Sequence, residues 1–170
     1  GPVAGLMTTE QTYAVALETA LGAALQNIVV EREEDAKAAI QFLKQRDGGR
    51  ATFLPLTAIR GDELRENAAG EYGFVGIASR LVRYDARYDY IFKNLLGRTV
   101  VVEDLDCGVN MARRYQNRFR IVTLDGQIIN RGGSMTGGSV SRSAGVLSRA
   151  SELSGLREQM TGLKASLGQA

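Results

Sequence analysis

The chain repeats a short order of elements, and this repetition limits the available folds more than any other feature. A tyrosine stands nine residues before a glycine in two places, Tyr13–Gly22 and Tyr88–Gly97, with apolar residues at helical spacing between them. Three further pairs of similar segments keep the same order along the chain: Val3–Leu6 with Val75–Ile77, Ile28–Glu31 with Val100–Glu103, and Thr52–Leu56 with Arg120–Leu124. The sequence therefore predicts two similar halves, each running strand–helix–strand–helix–strand.

Local signals place helices and strands within these halves. Apolar residues at helical spacing, together with acidic residues or glycines at the ends, predict helices over Tyr13–Leu21, Glu33–Arg46 and Leu105–Tyr115. Short β-branched and apolar runs predict buried strands over Asn27–Val30, Thr52–Leu54, Thr99–Val102 and Arg120–Thr123. Because helix and strand signals alternate, we expect an α/β or α+β fold.

Two connections are predicted as well. The dipeptide Asp125-Gly126 predicts a tight hairpin turn that leads into Ile128–Ile129. The polar, charged and glycine-containing segment Thr57–Gly73 is predicted to connect the two halves.

Two glycine pairs, Gly132–Gly133 and Gly137–Gly138, follow the predicted hairpin. Glycine has no Cβ, so another backbone or a ligand can approach closely at these positions. The segment lacks the lysine of a Walker A loop and the spacing of a dinucleotide-binding loop. Two readings remain: a simple anion nest of backbone N–H groups, or a strand at a sheet edge that pairs with another strand. Pairing with a second copy of the chain would give a symmetric dimer, and two such junctions would close a ring.

An apolar stripe runs along the C-terminal residues. Its members recur at intervals of three and four, and they are Leu153, Leu156, Met160, Leu163 and Leu167. This is the spacing of a coiled coil, although a single amphipathic helix docked on the domain gives the same pattern. The stripe has no obvious partner within the chain, which favours a fragment whose coil continues in a longer parent protein.

Composition excludes several classes of active site. The chain has no histidine and a single cysteine, Cys107, so histidine-dependent nucleophiles are excluded and structural zinc is disfavoured. The paired carboxylates Asp104 and Asp106 lie at a predicted helix start, where they are expected to act as caps. We therefore predict no catalytic residue, no metal ligand and no cofactor. The longest apolar runs are far too short to span a bilayer, so we also predict no membrane contact. The lone cysteine fits a reducing compartment such as the cytoplasm.

Charge is distributed unevenly, although the formal net charge is only +2. From Asn110 onward, nine Lys and Arg residues stand against three Asp and Glu residues. The excess predicts either a solvated surface or a patch that attracts phosphates. In the second case, the chain would be a stand-alone DNA-binding module that uses its basic C-terminal third.

Several stretches together resemble the hinge domain of bacterial structural maintenance of chromosomes (SMC) proteins. The stretches are Val3–Leu6, Tyr13–Lys44, Gly49–Leu56, Leu95–Asp106 and Arg120–Ser139, the last being the most specific. The resemblance implies an SMC hinge-like fold of two pseudo-symmetric α/β halves followed by a C-terminal coiled-coil helix. We expect the first half over residues 1–70, the second half with its glycine-rich dimer strand over residues 71–141, and the start of the coiled-coil arm over residues 142–170.

The resemblance also implies a function without chemistry in this segment. Hinges of this family hold two SMC subunits together at the tips of long coiled-coil arms, while ATPase heads with ATP and Mg lie at the far ends of the parent. Carried over, the dimer-contact residues are Gly132, Gly133, Ser134, Thr136, Gly137 and Gly138. The implied partners are a second copy, the antiparallel coiled-coil strand of the parent, and DNA bound weakly through Arg142 and Arg149. The whole protein would act in chromosome condensation and segregation, associated with the nucleoid in the cytoplasm.

Overall fold

The structure, a computed structural model, describes residues 1–139 together with Leu147 and Met160. Within this part the α-helices are α1 (Gln11–Leu21), α2 (Glu33–Gln45), α3 (Asp89–Leu96) and α4 (Leu105–Arg114). The strands are β1 (Met7–Thr9), β2 (Ile28–Val30), β3 (Phe53–Pro55), β4 (Phe74–Ile77), β5 (Val82–Tyr84), β6 (Thr99–Val102), β7 (Arg120–Thr123), β8 (Ile128–Ile129) and β9 (Met135–Thr136). The predicted mixture of helix and strand is confirmed, and each predicted helix is present with an end shifted by one or two residues.

The second half is built on a five-stranded sheet in the order β4-β6-β7-β8-β9. Strands β6 and β7 are parallel, and the other neighbours are antiparallel. The first half has the parallel pair β2-β3, and Pro2 forms an antiparallel bridge to Ile28 on the far side of β2. The order Pro2-β2-β3 therefore matches β4-β6-β7. Among the described residues, the first half has no counterpart of β8 and β9 on the other side of β3.

The strand register bears out most of the internal repeat. Ile28 lies opposite Phe53 in the first half, and Val100 lies opposite Ile121 in the second. These are the positions that the sequence comparison aligned. The hydrogen bonds agree with this register. The Leu56 N–H donates to the Val30 carbonyl at 2.9 Å, and the aligned Leu124 N–H donates to the Val102 carbonyl at 3.1 Å.

The first element of the repeat is corrected by the structure. The predicted strand at Val3–Leu6 is instead a 3₁₀ turn over Val3–Gly5, and its structural counterpart is the 3₁₀ turn Ala78–Arg80. Each turn leads directly into a strand, and these two strands, β1 and β5, pair antiparallel across the two halves. The sequence alignment matched Gly5 with Gly76, but these glycines are not structurally equivalent. The equivalent residues of the two 3₁₀ turns are Val3 and Ala78, which are both fully buried.

The core lies on both faces of the β6–β7 pair. Val101 and Val122 face the cluster formed by α1 and α3, whose central residues are Leu17 and Phe92. Alternate residues point to the opposite face of a strand, so Val100, Val102 and Ile121 pack beneath α4 instead.

Connections and termini complete the described part of the chain. The predicted connector, Thr57–Gly73, contains no helix or strand, and the Leu64 N–H docks it on the second half by donating to the Gly97 carbonyl at 2.8 Å.

The expected arm at 142–170 lies outside the described residues except for buried Leu147, which joins the core, and exposed Met160. The boundaries near residues 70 and 141 stay predictions. No helix in the described part is long and apolar enough to cross a bilayer.

Candidate dimer interface

The glycine-rich segment forms the edge of the five-stranded sheet. Strand β9 pairs with β8 on one side, and on its other side no strand follows among the described residues. The segment is exposed from Arg131 to Ser139 except at Gly133, and 55% of Met135 is accessible to solvent. A large apolar side chain on an open strand edge is typical of a pairing surface.

The turn between β8 and β9 requires glycine. The Asn130 N–H donates to the Ser134 carbonyl at 2.7 Å, and the Gly133 N–H donates back to the Asn130 carbonyl at 3.0 Å. Gly132 and Gly133 have φ angles of 90° and 108°, which L side chains rarely adopt. The turn sequence therefore sets the direction in which β9 leaves β8.

Backbone groups of β9 point toward the open edge. Asn130 and Ser134 form a hydrogen-bonded pair, and hydrogen-bonded pairs alternate with non-bonded ones along an antiparallel ladder. Met135, opposite Ile129, is therefore in a non-bonded pair, and its N–H and C=O point away from β8. These two groups are the ones that an additional strand would bind.

Two side-chain amides, which the sequence analysis missed, approach the glycine pairs from within the chain. A Cβ at Gly133 would lie 3.3 Å from Nδ2 of Asn117, and a Cβ at Gly137 would lie 2.0 Å from Oε1 of Gln127. The glycines therefore serve close approach inside one chain, in addition to any role between chains. No sequence signal distinguished Asn117 or Gln127 from other polar residues.

Helix α2 of the first half exposes an apolar face, whereas the corresponding face of α4 in the second half is covered by β8. Helix α2 buries only Ala36, and 52% of Ile40, one turn further along the same face, is exposed. The corresponding helix α4 buries four residues, and the Ile129 side chain of β8 lies against Gly108 in the middle of that helix. In the described part of the chain no counterpart of β8 lies beside β3, which accounts for the difference.

An arginine-rich cleft lies next to the glycine turn. It encloses about 750 Å³, and its arginines are Arg65, Arg98, Arg118 and Arg131. Arg98 is held by Asp62 through two hydrogen bonds of 3.0 and 2.9 Å, and this pairing raises the pKa of the guanidinium. Within the described part of the chain, the other three arginines form no ion pair, and Glu66 is the one acidic side chain in the lining. The cleft can therefore attract anions.

The remaining sequence candidates have structural explanations or lie elsewhere. Asp104 caps α4, because its Oδ1 accepts a 2.9 Å hydrogen bond from the Cys107 N–H, as the cap interpretation predicted. This contact lowers the pKa of Asp104. The pKa of the Cys107 thiol is raised by the hydrogen bond between the thiol and the Asp104 carboxylate, and then by burial. Among the described residues, no three acidic or cysteine side chains are grouped as metal ligands. Arg142 and Arg149, predicted to contact DNA, lie outside the described residues.

Comparison with known proteins gives a consistent result. Residues 1–112 match the model of the SMC proteins Flexible Hinge Domain. The chromosome partition protein Smc of Bacillus subtilis is 44% identical over 94% of this chain, and that of Desulfitobacterium hafniense is 43% identical over 94%. The chain spans 14% of the length of each of these relatives.

Solved structures agree with the sequence relatives. The SMC hinge domain of Geobacillus stearothermophilus, solved as an asymmetric dimer, is 40% identical, with a TM-score of 0.88 over 99% of this chain and 69% of that chain. The Smc hinge domain of Pyrococcus furiosus with an extended coiled coil is 32% identical, with a TM-score of 0.71 over 99% of this chain and 59% of that chain.

Proposed function

The chain belongs to the family of SMC flexible hinge domains, and from this premise we propose that it joins two copies of its parent protein as a homodimer. The observation that supports this best is the edge of β9, where the N–H and C=O of Met135 point outward and bind no other described residue. The related hinge domain of Geobacillus stearothermophilus was solved as an asymmetric dimer, which supports dimer formation by this chain.

Strand β3 of the partner is the proposed binding site for β9. Thr52 and Leu56 bind β2, since the Ile28 N–H donates to the Thr52 carbonyl and the Leu56 N–H to the Val30 carbonyl, both at 2.9 Å. Alternate residues of a parallel strand point the other way, so the N–H and C=O of Phe53 face the open side of β3. In the second half, β8 fills the corresponding position, with Ile129 opposite Ile121.

This arrangement extends the sheet of one half into the sheet of the other subunit. The partner's β9 would exchange hydrogen bonds with β3 and bring its hairpin over the inner face of α2, covering Ile40. The interface would then contain Met135 and the residues expected from the sequence, namely Gly132, Gly133, Ser134, Thr136, Gly137 and Gly138.

Replacing Met135 with proline tests this interface with little damage to the monomer. Its N–H points away from β8, so Met135→Pro removes only an edge donor and leaves the β8–β9 ladder intact. We expect the wild-type chain to sediment at about twice its 18.4 kDa mass and the variant to sediment as a monomer with unchanged circular dichroism. Met135→Leu, which keeps the N–H, is the control and should stay dimeric. A Met135→Pro variant that dimerises like the wild type would reject β9 as the interface.

The parent protein is proposed to be an SMC ATPase of chromosome condensation and partition. Its curated relatives are chromosome partition proteins that are about seven times longer than this chain. The arm at 142–170 would pair with the antiparallel coiled-coil strand of the parent, while ATP and Mg would bind in its separate head domains. The hinge itself would carry no catalysis, and the parent would act in the cytoplasm, associated with the nucleoid.

Weak DNA contact is a second proposed role, supported by the arginine cleft. Guanidinium groups fit phosphodiester oxygens, and three of the four arginines form no ion pair among the described residues. Two of them, Arg118 and Arg131, belong to the basic C-terminal third. We expect Arg118→Gln combined with Arg131→Gln to weaken duplex binding and to reduce its dependence on salt concentration.

Arg50→Gln combined with Arg83→Gln is the matched control for this DNA experiment, because both arginines are exposed outside the cleft and the control also removes two charges. Fluorescence anisotropy with a labelled duplex, repeated across a salt series, measures the effect. Equal salt slopes for the wild type and the double variant would reject the cleft. Contact through Arg142 and Arg149 would then be the alternative, tested by the same titration.

A further inference from the structure

The Gln127 side chain binds both backbone groups of Gly138. Its Oε1 accepts a 2.7 Å hydrogen bond from the Gly138 N–H, and its Nε2 donates a 3.0 Å hydrogen bond to the Gly138 carbonyl. The carboxamide therefore pairs with Gly138 as a neighbouring strand would. This contact continues the β8–β9 pairing beyond Thr136, where the strand itself ends.

Gln127 is itself firmly placed. Its N–H donates to the Thr123 hydroxyl oxygen at 2.9 Å, and its carbonyl accepts from the Thr123 N–H at 2.9 Å. Thr123 is completely buried in the sheet. The carboxamide therefore extends from a rigid point of the core toward a surface segment.

The second glycine pair is suited to this contact. A Cβ at Gly137 would lie 2.0 Å from the Gln127 Oε1, so glycine leaves the space that the carboxamide occupies. Gly138 has a φ of 129°, a backbone conformation that side chains disfavour. One glycine thus provides room, and the other provides the backbone angle.

The opposite end of the segment has its own anchor. The Asn117 carbonyl accepts a 2.9 Å hydrogen bond from the Gly132 N–H, and the Asn117 N–H donates to the Ala112 carbonyl at 2.9 Å, at the end of α4. Gln116 and Asn117 both adopt left-handed φ angles, 56° and 55°, to reach this position. Such angles persist where the surrounding contacts hold them.

We infer that Gln127 and Asn117 are positioning residues that hold β9 in the conformation needed to pair with a second copy, an inference that rests on the proposed dimer. A strand of two residues has too few ladder hydrogen bonds to order itself. Anchoring both ends before association removes an ordering cost that dimer formation would otherwise bear. Loss of an anchor therefore weakens the dimer more than the fold.

Three substitutions of Gln127 separate hydrogen bonding from packing. Gln127→Met keeps the length of the side chain but makes neither bond to Gly138, Gln127→Glu at neutral pH keeps only the acceptor, and Gln127→Ala removes both bonds and volume. We expect the dimer dissociation constant, from analytical ultracentrifugation, to rise roughly tenfold or more for Gln127→Met and less for Gln127→Glu. In the monomeric Met135→Pro chain, where dissociation does not contribute, adding each Gln127 substitution should change the melting temperature by no more than about 3 °C. Gln26→Met, at an exposed glutamine outside this sheet, is the control.

Hydrogen exchange in a monomeric background tests the anchor without the dimer. In the Met135→Pro chain, adding Gln127→Met should accelerate exchange of the Gly138 amide at least tenfold, while core amides in β6 and β7 are unchanged. Dissociation constants within twofold of the wild type for Gln127→Met and Gln127→Ala would overturn the inference and leave the dimer intact. A wild-type chain that remains monomeric would reject both the dimer and the positioning role.

Discussion

The Tyr84 hydroxyl donates a 2.8 Å hydrogen bond to the Oδ1 of Asp89, linking the end of β5 to the first turn of α3. The Tyr84 ring also stacks on Phe92, with ring centres 4.4 Å apart. Burial, followed by the hydrogen bond to Asp89, raises the pKa of Tyr84 to about 12. The contact therefore connects the central β1–β5 pair to the core. It also makes the free energy of unfolding depend on pH in both the alkaline and the acidic range.

Tyr84→Phe should lower the free energy of unfolding by about 1 kcal/mol at pH 7, the usual contribution of one such hydrogen bond. Because the folded-state pKa is raised, the tyrosine contribution is fully present below the unfolded value near 10 and is lost as pH rises through about 12. The difference between wild type and variant should therefore shrink between pH 9 and pH 12. Urea unfolding across this range measures it, and a difference that is constant with pH would contradict the assignment. Tyr72→Phe, at an exposed tyrosine, is the control.

Asp89→Asn should change how the stability depends on pH under acidic conditions. The hydrogen bond from Lys93, and then that from Tyr84, lowers the pKa of Asp89. A lowered folded-state pKa gives stability that is present above the unfolded value near 4 and is lost as pH falls through the folded value. We expect wild type to lose stability faster than Asp89→Asn below pH 4, as measured by thermal unfolding. Parallel curves at low pH would show that the pairing contributes nothing.

Gly61→Ala should destabilise the monomer strongly. A Cβ at Gly61 would lie 2.1 Å from the backbone nitrogen of Asn94, and backbone cannot move aside as a flexible side chain can. The connector would be lifted from α3, at a cost of about 2–4 kcal/mol. Chemical denaturation gives the value, and Gly70→Ala, where a Cβ meets nothing within 4 Å, is the matched control with no expected change.

Gly137→Ala and Gln127→Ala should act non-additively. The new Cβ at 137 collides with Oε1 of Gln127, and shortening Gln127 removes that collision. We expect the dissociation constant of the double variant to be lower than the product of the two single effects predicts. A double-mutant cycle by sedimentation equilibrium measures the coupling, and strictly additive free energies would place the effect of Gly137 between subunits instead.

Ile40→Asp should weaken the dimer while sparing the monomer, because half of the Ile40 side chain is already exposed. Placing a carboxylate under the partner's hairpin would require burying a charge, so we expect at least a tenfold rise in the dissociation constant. Gln41→Asp, on an exposed position of the same helix, adds the same single negative charge and is the control. Equal effects of the two substitutions would exclude the apolar face of α2 from the interface.

The sequence alone determined the helices, the paired strands β2–β3 and β6–β7, and most of the repeat, but not β1 or β5. Local periodicity and capping predicted α2 and α4 to within a residue of each end, and the repeat aligned Phe53 with Ile121 as the strand register does. The resemblance to SMC hinges came from the same residues. These features are predictable because helix and strand patterns depend on neighbours a few positions away, which the sequence lists directly.

Tertiary structure decided what surrounds those elements. Only the fold shows that Val3–Gly5 corresponds to Ala78–Arg80 and that Asn117 and Gln127 hold the glycine segment. Only the fold shows, too, that β3 and β9 are edge strands within residues 1–139. The physical reason is that edge positions and amide contacts depend on residues far apart in the chain, such as Asn117 and Gly132, whose approach follows from sheet order. A glycine pair predicts that something comes close, but the identity of the neighbouring group is a property of the folded chain.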